Sequence, residues 1–505
     1  MSVIEYVSGI MPVTSVLYLV FLALAVAVFY ALRGAKARSG WLLLTSLVFY
    51  ALMSPRSLLV LVALTALAYG TGIALGRPEG RRRRVLVGAS VSVLVASLAF
   101  FKFSAQLLHL LALVPQGADL IRSSPALAIA MPVGISFWTF QLIAYLVDIY
   151  RGHAEPVRDP LKMLLAVVFF PIVTIGPITK VGALTEQFEK VRRFDFDRMR
   201  SALLLMGWGF FKKLVIADRL AVFVASVFGN VRGQGGFGGG LIFFIAAAFF
   251  AIQLYADFSG YTDIVRGSAR LIGVDLPQNF AAPYFSRSIA EFWRRWHMTL
   301  MDWLRHYVYF PLGGNRKGPI RKKLNTLAVF LVSGLWHGVG LTFVVWGLLN
   351  GAYMVIGEMT APLRERFLAR IGVDSGTAVH RTFQRVVTFA LVTVAWVFFR
   401  AASISDALYI VPRMFVPSVW VLSNGAMLKQ GLSGVELLIA AVAVVMLFAV
   451  DYLRYERGID VSGWLTSQFI VFRWLVYYGL ILVVVVFGYY GGSGSDASSF
   501  LYFRF

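Results

Sequence analysis

Of 505 residues, 59% are hydrophobic and only 14% charged, and the mean hydropathy is +0.76; soluble domains carry roughly a quarter charged residues. Apolar runs long enough to cross a hydrocarbon core of about 30 Å recur from end to end, so the chain reads as an all-α polytopic membrane protein, not a soluble, collagen-like, disordered or disulfide-rich secreted one. The absence of cysteine removes disulfides, zinc–thiolate and iron–sulfur sites and a thiol nucleophile, so a covalently carried acyl group would have to sit on oxygen or imidazole. The net charge of +22 is spread over short loops, which fits positive-inside orientation and not nucleic-acid binding.

Residues 1–10 contain Glu5 and neither Lys nor Arg, so they do not read as a cleavable signal peptide. The first span, 12–32, is expected to be retained. Arg33, Lys36 and Arg38 put the next loop in the cytoplasm and the N-terminus outside. Residues 41–76 read as two spans broken at Ser54 and Pro55, returning to Arg77 and the run Arg81, Arg82, Arg83, Arg84. Residues 85–102 go out and 126–150 come back to Arg151 and Arg158. Between two basic loops, 161–179 is interrupted by Pro171, Gly176 and Pro177. It reads as re-entrant, which is allowed where backbone is buried in protein. Residues 201–228 leave, the glycine-rich turn 233–240 lies outside, and 241–256 return.

The stretch 257–323 holds eleven Lys/Arg against five Asp/Glu and belongs to the cytoplasmic side. A hairpin of 324–340 and 341–357 follows, then a basic segment, 364–385. Residues 386–399 exit, 432–450 return to Arg454 and Arg457, and 469–489 exit again, leaving the tail 491–505 outside. About twelve crossings result, within a range of roughly 11–13, with every strongly basic loop on one side. No internal repeat divides 1–505, which reads as one multi-pass domain.

Four segments carry candidate chemistry. Asp257-Phe258-Ser259-Gly260-Tyr261-Thr262-Asp263 places two carboxylates where an apolar span ends. It is either a polar helix end with a tight turn at Gly260 or a substrate-facing element, and it offers too few oxygens for calcium or magnesium.

In 289–310, Phe292, Trp293, Trp296, Leu300, Trp303, Leu304, Tyr307 and Phe310 recur at steps of three and four. That is the pattern of an amphipathic helix at headgroup level. His297 lies within it, and on a continuous helix Asp302 would point about 140° away from it, which rejects a His–Asp dyad. Asp302 and His306 are spaced to pair.

His337 is flanked by Trp336, Gly334, Gly338 and Gly340 in an otherwise apolar stretch. An imidazole there must face protein, a cavity or a substrate path. It is either a structural group bonded to a carbonyl or a general base in a tunnel. The basic loop Pro311-Leu312-Gly313-Gly314-Asn315-Arg316-Lys317-Gly318 lacks the ending of a nucleotide-binding P-loop; it would hold the phosphates of a cofactor or touch lipid headgroups.

Taken together, these motifs resemble the membrane-bound O-acyltransferase family. The resemblance runs in order over 131–353. It begins at Pro132-Val133-Gly134-Ile135-Ser136-Phe137-Trp138-Thr139-Phe140-Gln141 and continues through Gly209-Phe210-Phe211-Lys212-Lys213 and the Asp257 segment. Glu291-Phe292-Trp293-Arg294-Arg295-Trp296-His297, the basic loop and Gly334-Leu335-Trp336-His337-Gly338 complete it. Val339-Gly340-Leu341 departs from the family's usual continuation. The nearest branch is the bacterial one that O-acetylates alginate, with relatives for cellulose and peptidoglycan.

The resemblance implies a ring of helices around a central tunnel in the inner membrane, with His337 as principal catalytic histidine and His297 as second. It implies acetyl-CoA as cytoplasmic donor, with no metal and no bound prosthetic group. A periplasmic hydrolase-fold acetyltransferase and a polysaccharide acceptor would be its partners. Asp257, Arg294, Arg295, Trp336, Arg316 and Lys317 are the residues expected along the donor path.

Phe500-Leu501-Tyr502-Phe503-Arg504-Phe505 is similar to the terminal aromatic motif of this branch, and would be either an interfacial anchor or an acyl relay. A phenol's pKa near 10 lies close enough to a thiol's 8.5 for an ester on Tyr502 to keep much of a thioester's transfer potential. Two other readings stay open from sequence: a carrier protein with a phosphopantetheine arm as donor, as in D-alanyl transfer, and an anion transporter or channel.

Overall fold

The computed structural model describes residues 11–76, 80–112, 131–190, 193–234 and 239–490, apart from the side chains of 105–112. The N-terminal ten residues, Arg77 and the tail with Tyr502 lie outside the described residues, as does half of the 233–240 turn. Every regular element among the described residues is helical. Among the described residues seven helices are long and apolar enough to cross a membrane, and Val16–Ala31 and Ile135–Tyr150 are shorter apolar ones. The chain is therefore all-α and polytopic. Fewer helices meet that length standard than the crossings expected, because several apolar stretches are divided into short helices and irregular backbone.

The chain forms two compact units. The first, residues 1–206 with 264–277, contains α1 (Val16–Ala31), α2 (Ala35–Met53), α3 (Pro55–Leu75), α4 (Arg81–Ala112), α5 (Ile135–Tyr150), α6 (Pro160–Val168), α7 (Val181–Glu189) and the start of α8 (Phe196–Phe210). The expected break at Ser54 is present. Its extended backbone ends α2, its hydroxyl accepts the Ser57 N–H, and Pro55 occupies the first turn of α3, where a missing N–H costs nothing.

After α6 the backbone runs irregularly, with Phe169, Phe170, Val173 and Thr174 at most 1% exposed. Neighbouring groups satisfy polar backbone at that depth: the Phe170 N–H donates to Ser46 Oγ (3.1 Å) and the Ala166 carbonyl accepts from Gln141 Nε2 (3.0 Å). Gly134 makes the turn into α5 at φ +72°, where a Cβ would lie 2.0 Å from the Val173 carbonyl oxygen.

The second unit comprises 207–263 and 278–505. A π-helical turn, Phe211–Ala217, leads into α9 (Asp218–Gly229) and α10 (Val231–Gln234), followed by α11 (Gly239–Leu271). Two short helices, α12 (Ile289–Arg295) and α13 (Met298–Leu304), precede α14 (Pro319–His337) and α15 (Leu341–Arg370). Then come α16 (Ala378–Arg400), α17 (Ile404–Arg413), α18 (Gly434–Asp451), α19 (Val461–Ser467) and α20 (Ile470–Phe487). The α14–α15 hairpin closes on two glycines: a Cβ on Gly334 or Gly347 would lie 2.4 Å from the carbonyl oxygen of Phe343 or Phe330, respectively. Small residues admit such close backbone approach within membranes. No residue of α20 is buried within the protein.

Two expectations are corrected. The Asp257 segment is not a helix end: α11 continues to Leu271. Gly260 serves close packing and makes no turn, since a Cβ there would stand 2.8 Å from the Gly209 carbonyl oxygen. Residues 289–310 are likewise not one surface helix. The chain extends at Trp296 and turns left-handed at His297 (φ 41°, ψ 54°) before α13 begins. Phe292, Trp293, Trp296 and Trp303 are buried in protein, not spread on an interface. The separation of about 140° expected between His297 and Asp302 on a continuous helix does not apply across this break; Asp302 sits with His306, Nδ1 to Oδ1 at 3.2 Å.

Candidate active site

The polar core of the second unit starts from α11. Its two carboxylates meet the lysine pair of the π-helical turn: Lys213 Nζ lies 2.7 Å from Asp257 and 2.7 Å from Asp218, and Lys212 Nζ lies 2.7 Å from Asp263 and 3.0 Å from Ser259 Oγ. These side chains are almost wholly buried, where only a paired charge is tolerable. Asp257 is thus tied to Lys213. Sequence reasoning quoted the lysines as a motif without a role. The signal was available: two lysines inside an apolar span require carboxylate partners, and Asp218, Asp257 and Asp263 were the nearby candidates. Beside this network, Lys212, Tyr255, Asp263, Gln278, Asp451 and Arg454 help to line a polar cavity of about 20 Å³, room for one water. There Tyr255 donates to Asp451 at 2.7 Å.

Phe258 follows Asp257 and meets the His297 ring edge-on at 4.7 Å. The loop before α12 sets the unusual His297 backbone: the Met298 N–H donates to the Asn279 carbonyl (2.9 Å) and the Ala281 N–H to that of Arg295 (3.0 Å). Asn279 Oδ1 also accepts from the Thr299 hydroxyl at 2.6 Å. His297 lies outside the seven candidate spans and is 1% exposed. Burial, reinforced by His337, holds its pKa well below the usual imidazole value, so the ring is neutral.

His337 ends α14, where Gly338 leaves the helix in an extended conformation. Its ring is 4% exposed and packs against Trp336 at 4.8 Å, Trp346 at 4.9 Å and Phe399 at 5.5 Å. Nδ1 lies 2.7 Å from the Ser333 carbonyl oxygen. A carbonyl only accepts, so Nδ1 carries a proton, and in the neutral ring Nε2 is the nitrogen able to accept one. Trp336 joins the histidines, its ring 5.9 Å from His297 and 4.8 Å from His337. The structure thereby gathers His297, His337 and Trp336 in one packed aromatic cluster, and Phe258, the neighbour of Asp257, packs on His297.

The other expected site residues are exposed or paired elsewhere. Arg294, Arg316 and Lys317 are exposed. Arg295 bridges Glu291 (2.7 Å) and Glu456 (3.2 Å). The N–H groups of Leu312, Gly313, Gly314 and Arg316 are spent on turn carbonyls, so the basic loop offers side-chain cations and not a nest of amides. Among the described residues no cluster of three His, Asp or Glu side chains is placed to hold a metal.

Comparison with known proteins supplies the chemical context. The model of the membrane-bound O-acyltransferase family matches residues 153–370. The chain is similar to the probable alginate O-acetylase AlgI of Pseudomonas putida, with 32% identity over 507 residues covering 96% of this chain and 99% of the relative. It is also similar to the peptidoglycan O-acetyltransferase of Helicobacter pylori, 32% identical over 74% of this chain and 73% of that one. The teichoic acid D-alanyltransferase of Streptococcus thermophilus matches at 26%, over 45% of this chain and 56% of its own.

Proposed function

Because the chain belongs to the membrane-bound O-acyltransferase family, we propose that it moves acetyl groups from cytoplasmic acetyl-CoA across the inner membrane for O-acetylation of an extracytoplasmic polysaccharide. The observation that carries this reading is the His337 tautomer. A buried imidazole whose Nδ1–H is held by the Ser333 carbonyl at 2.7 Å keeps Nε2 as a general base. The names of the relatives favour a polysaccharide acceptor, since those covering most of the chain are alginate and peptidoglycan acetylases.

Coenzyme A carries several negative charges and does not cross hydrocarbon. Its phosphates dock at exposed cations, Arg294, Arg316 and Lys317, while the thioester reaches the His297–His337 cluster. His337 Nε2 takes the proton of the attacking hydroxyl, and neutral His297 orients the donor across Trp336. The hydroxyl is that of Tyr502, whose ester passes to a periplasmic acetyltransferase of the hydrolase fold.

His337→Ala is expected to abolish polymer acetylation while the protein remains folded in detergent, and full activity would reject the assignment. Tyr502→Phe tests the relay: unchanged acetylation would reduce the tail to an anchor. Labelling by an acetylated carrier protein in place of acetyl-CoA would move the donor to the phosphopantetheine type.

A further inference from the structure

Trp346 touches the His337 ring, and its one polar group is unspent. The residue is 1% exposed. His337 at 4.9 Å, Phe399 at 5.1 Å, Trp396 at 5.6 Å and Trp293 at 5.8 Å hold its indole on several sides. Its backbone carbonyl accepts from Asn350 Nδ2 at 2.8 Å. The indole Nε1–H has no hydrogen-bond partner among the described residues. Buried polar groups are nearly always satisfied, and an unpaired donor is costly. Beside the proposed base, that donor calls for an acceptor brought in by the substrate.

The geometry points to the Trp346 Nε1–H as the hydrogen-bond donor to the carbonyl oxygen of the acyl group undergoing transfer. The inference rests on the acyl transfer proposed above and adds a catalytic residue to it. The acceptor hydroxyl oxygen bonds to the thioester carbon while its proton passes to His337 Nε2, and the carbonyl electron pair moves onto oxygen. That oxygen, now anionic, takes the Trp346 hydrogen bond. Collapse re-forms the C=O and breaks the C–S bond, and the departing thiolate receives the proton from Nε2. An indole donates and never accepts, and packed rings fix its direction. A donor fixed before reaction is what stabilises an oxyanion without reorganisation.

Trp293 provides an internal control. Its Nε1–H is also unpartnered among the described residues, but its ring meets Phe292, Phe330 and Trp346 rather than His337. The test measures turnover of acetyl-CoA, with a periplasmic acetyltransferase of the hydrolase fold and its polysaccharide supplied as onward acceptor, by full-length protein and the variants Trp346→Phe and Trp293→Phe. The expected result is a kcat about 100-fold lower for Trp346→Phe, KM unchanged, and a clearly smaller loss of kcat for Trp293→Phe, which trims packing against Trp346 but removes no N–H beside His337. Equal kcat in parent and Trp346→Phe overturns the inference alone, as does an equal loss in both variants, which would trace to packing. A parent inert toward acetyl-CoA in this assay overturns the inference together with the function beneath it. If Trp346→Phe does not fold, incorporation of a benzothiophene side chain at 346 keeps the shape without the N–H. It is expected to show the same loss of kcat, and full activity there would be contradictory.

Discussion

Replacing Lys213 by methionine removes a cation that the structure places between Asp218 and Asp257, at 2.7 Å from each. The side chains are 4%, 7% and 3% exposed, so water does not take over when the ammonium is gone. Breaking a buried pair from one side costs about 3–5 kcal/mol because the remaining charge is stranded. Here two carboxylates are stranded, which puts the expected loss at the upper end, about 5 kcal/mol. The measurement is equilibrium unfolding in mixed micelles, followed by tryptophan fluorescence.

Neutralising the carboxylates as well, in Lys213→Met with Asp218→Asn and Asp257→Asn, is expected to recover more than half of the loss, since the penalty lies in unpaired charge and not in lost attraction. A single variant within about 1 kcal/mol of the parent, or a triple variant no better than the single, would refute the electrostatic account.

Two further outcomes follow from backbone and proton linkage. Gly134→Ala puts a Cβ in a left-handed conformation, 2.0 Å from the Val173 carbonyl oxygen. Left-handed backbone alone costs an L side chain about 1–2 kcal/mol, and the collision adds to it, so the thermal midpoint is expected to fall clearly, and an unchanged midpoint would be contradictory. His297 is neutral when folded because burial depresses its pKa, whereas unfolded it takes up a proton below about pH 6.5. Stability is therefore unaffected by this residue above that pH, and falls below it with a slope approaching about 1.4 kcal/mol per pH unit. His297→Gln should flatten that acid limb relative to the parent, and identical limbs would show that the ring is not held neutral.

Local backbone chemistry made parts of the fold legible. Pro55 fixes the α2–α3 break, and Gly334, Gly338 and Gly340 mark the hairpin at which His337 sits. The errors fell where tertiary bonds override periodicity. Residues 289–310 carry helical spacing throughout, yet the Asn279 and Arg295 carbonyls draw Met298 and Ala281 into a break that turns His297 left-handed. The Asp257 segment reads as a polar terminus because hydropathy drops there; what keeps it helical is the buried lysine pair, supplied from elsewhere in the chain. The unpartnered Trp346 N–H is invisible to sequence, since tryptophan in an apolar helix reads as packing.

Sealed proteoliposomes decide the central claim most directly. With acetyl-CoA labelled in its acetyl group supplied only to the cytoplasmic face, mass spectrometry follows labelled acetyl on the protein and on an acceptor confined to the opposite face. The account predicts labelled acetyl on the far side with intact His337 and none with His337→Ala, although both proteins reconstitute equally. Equal label on the far side from the two proteins would contradict it.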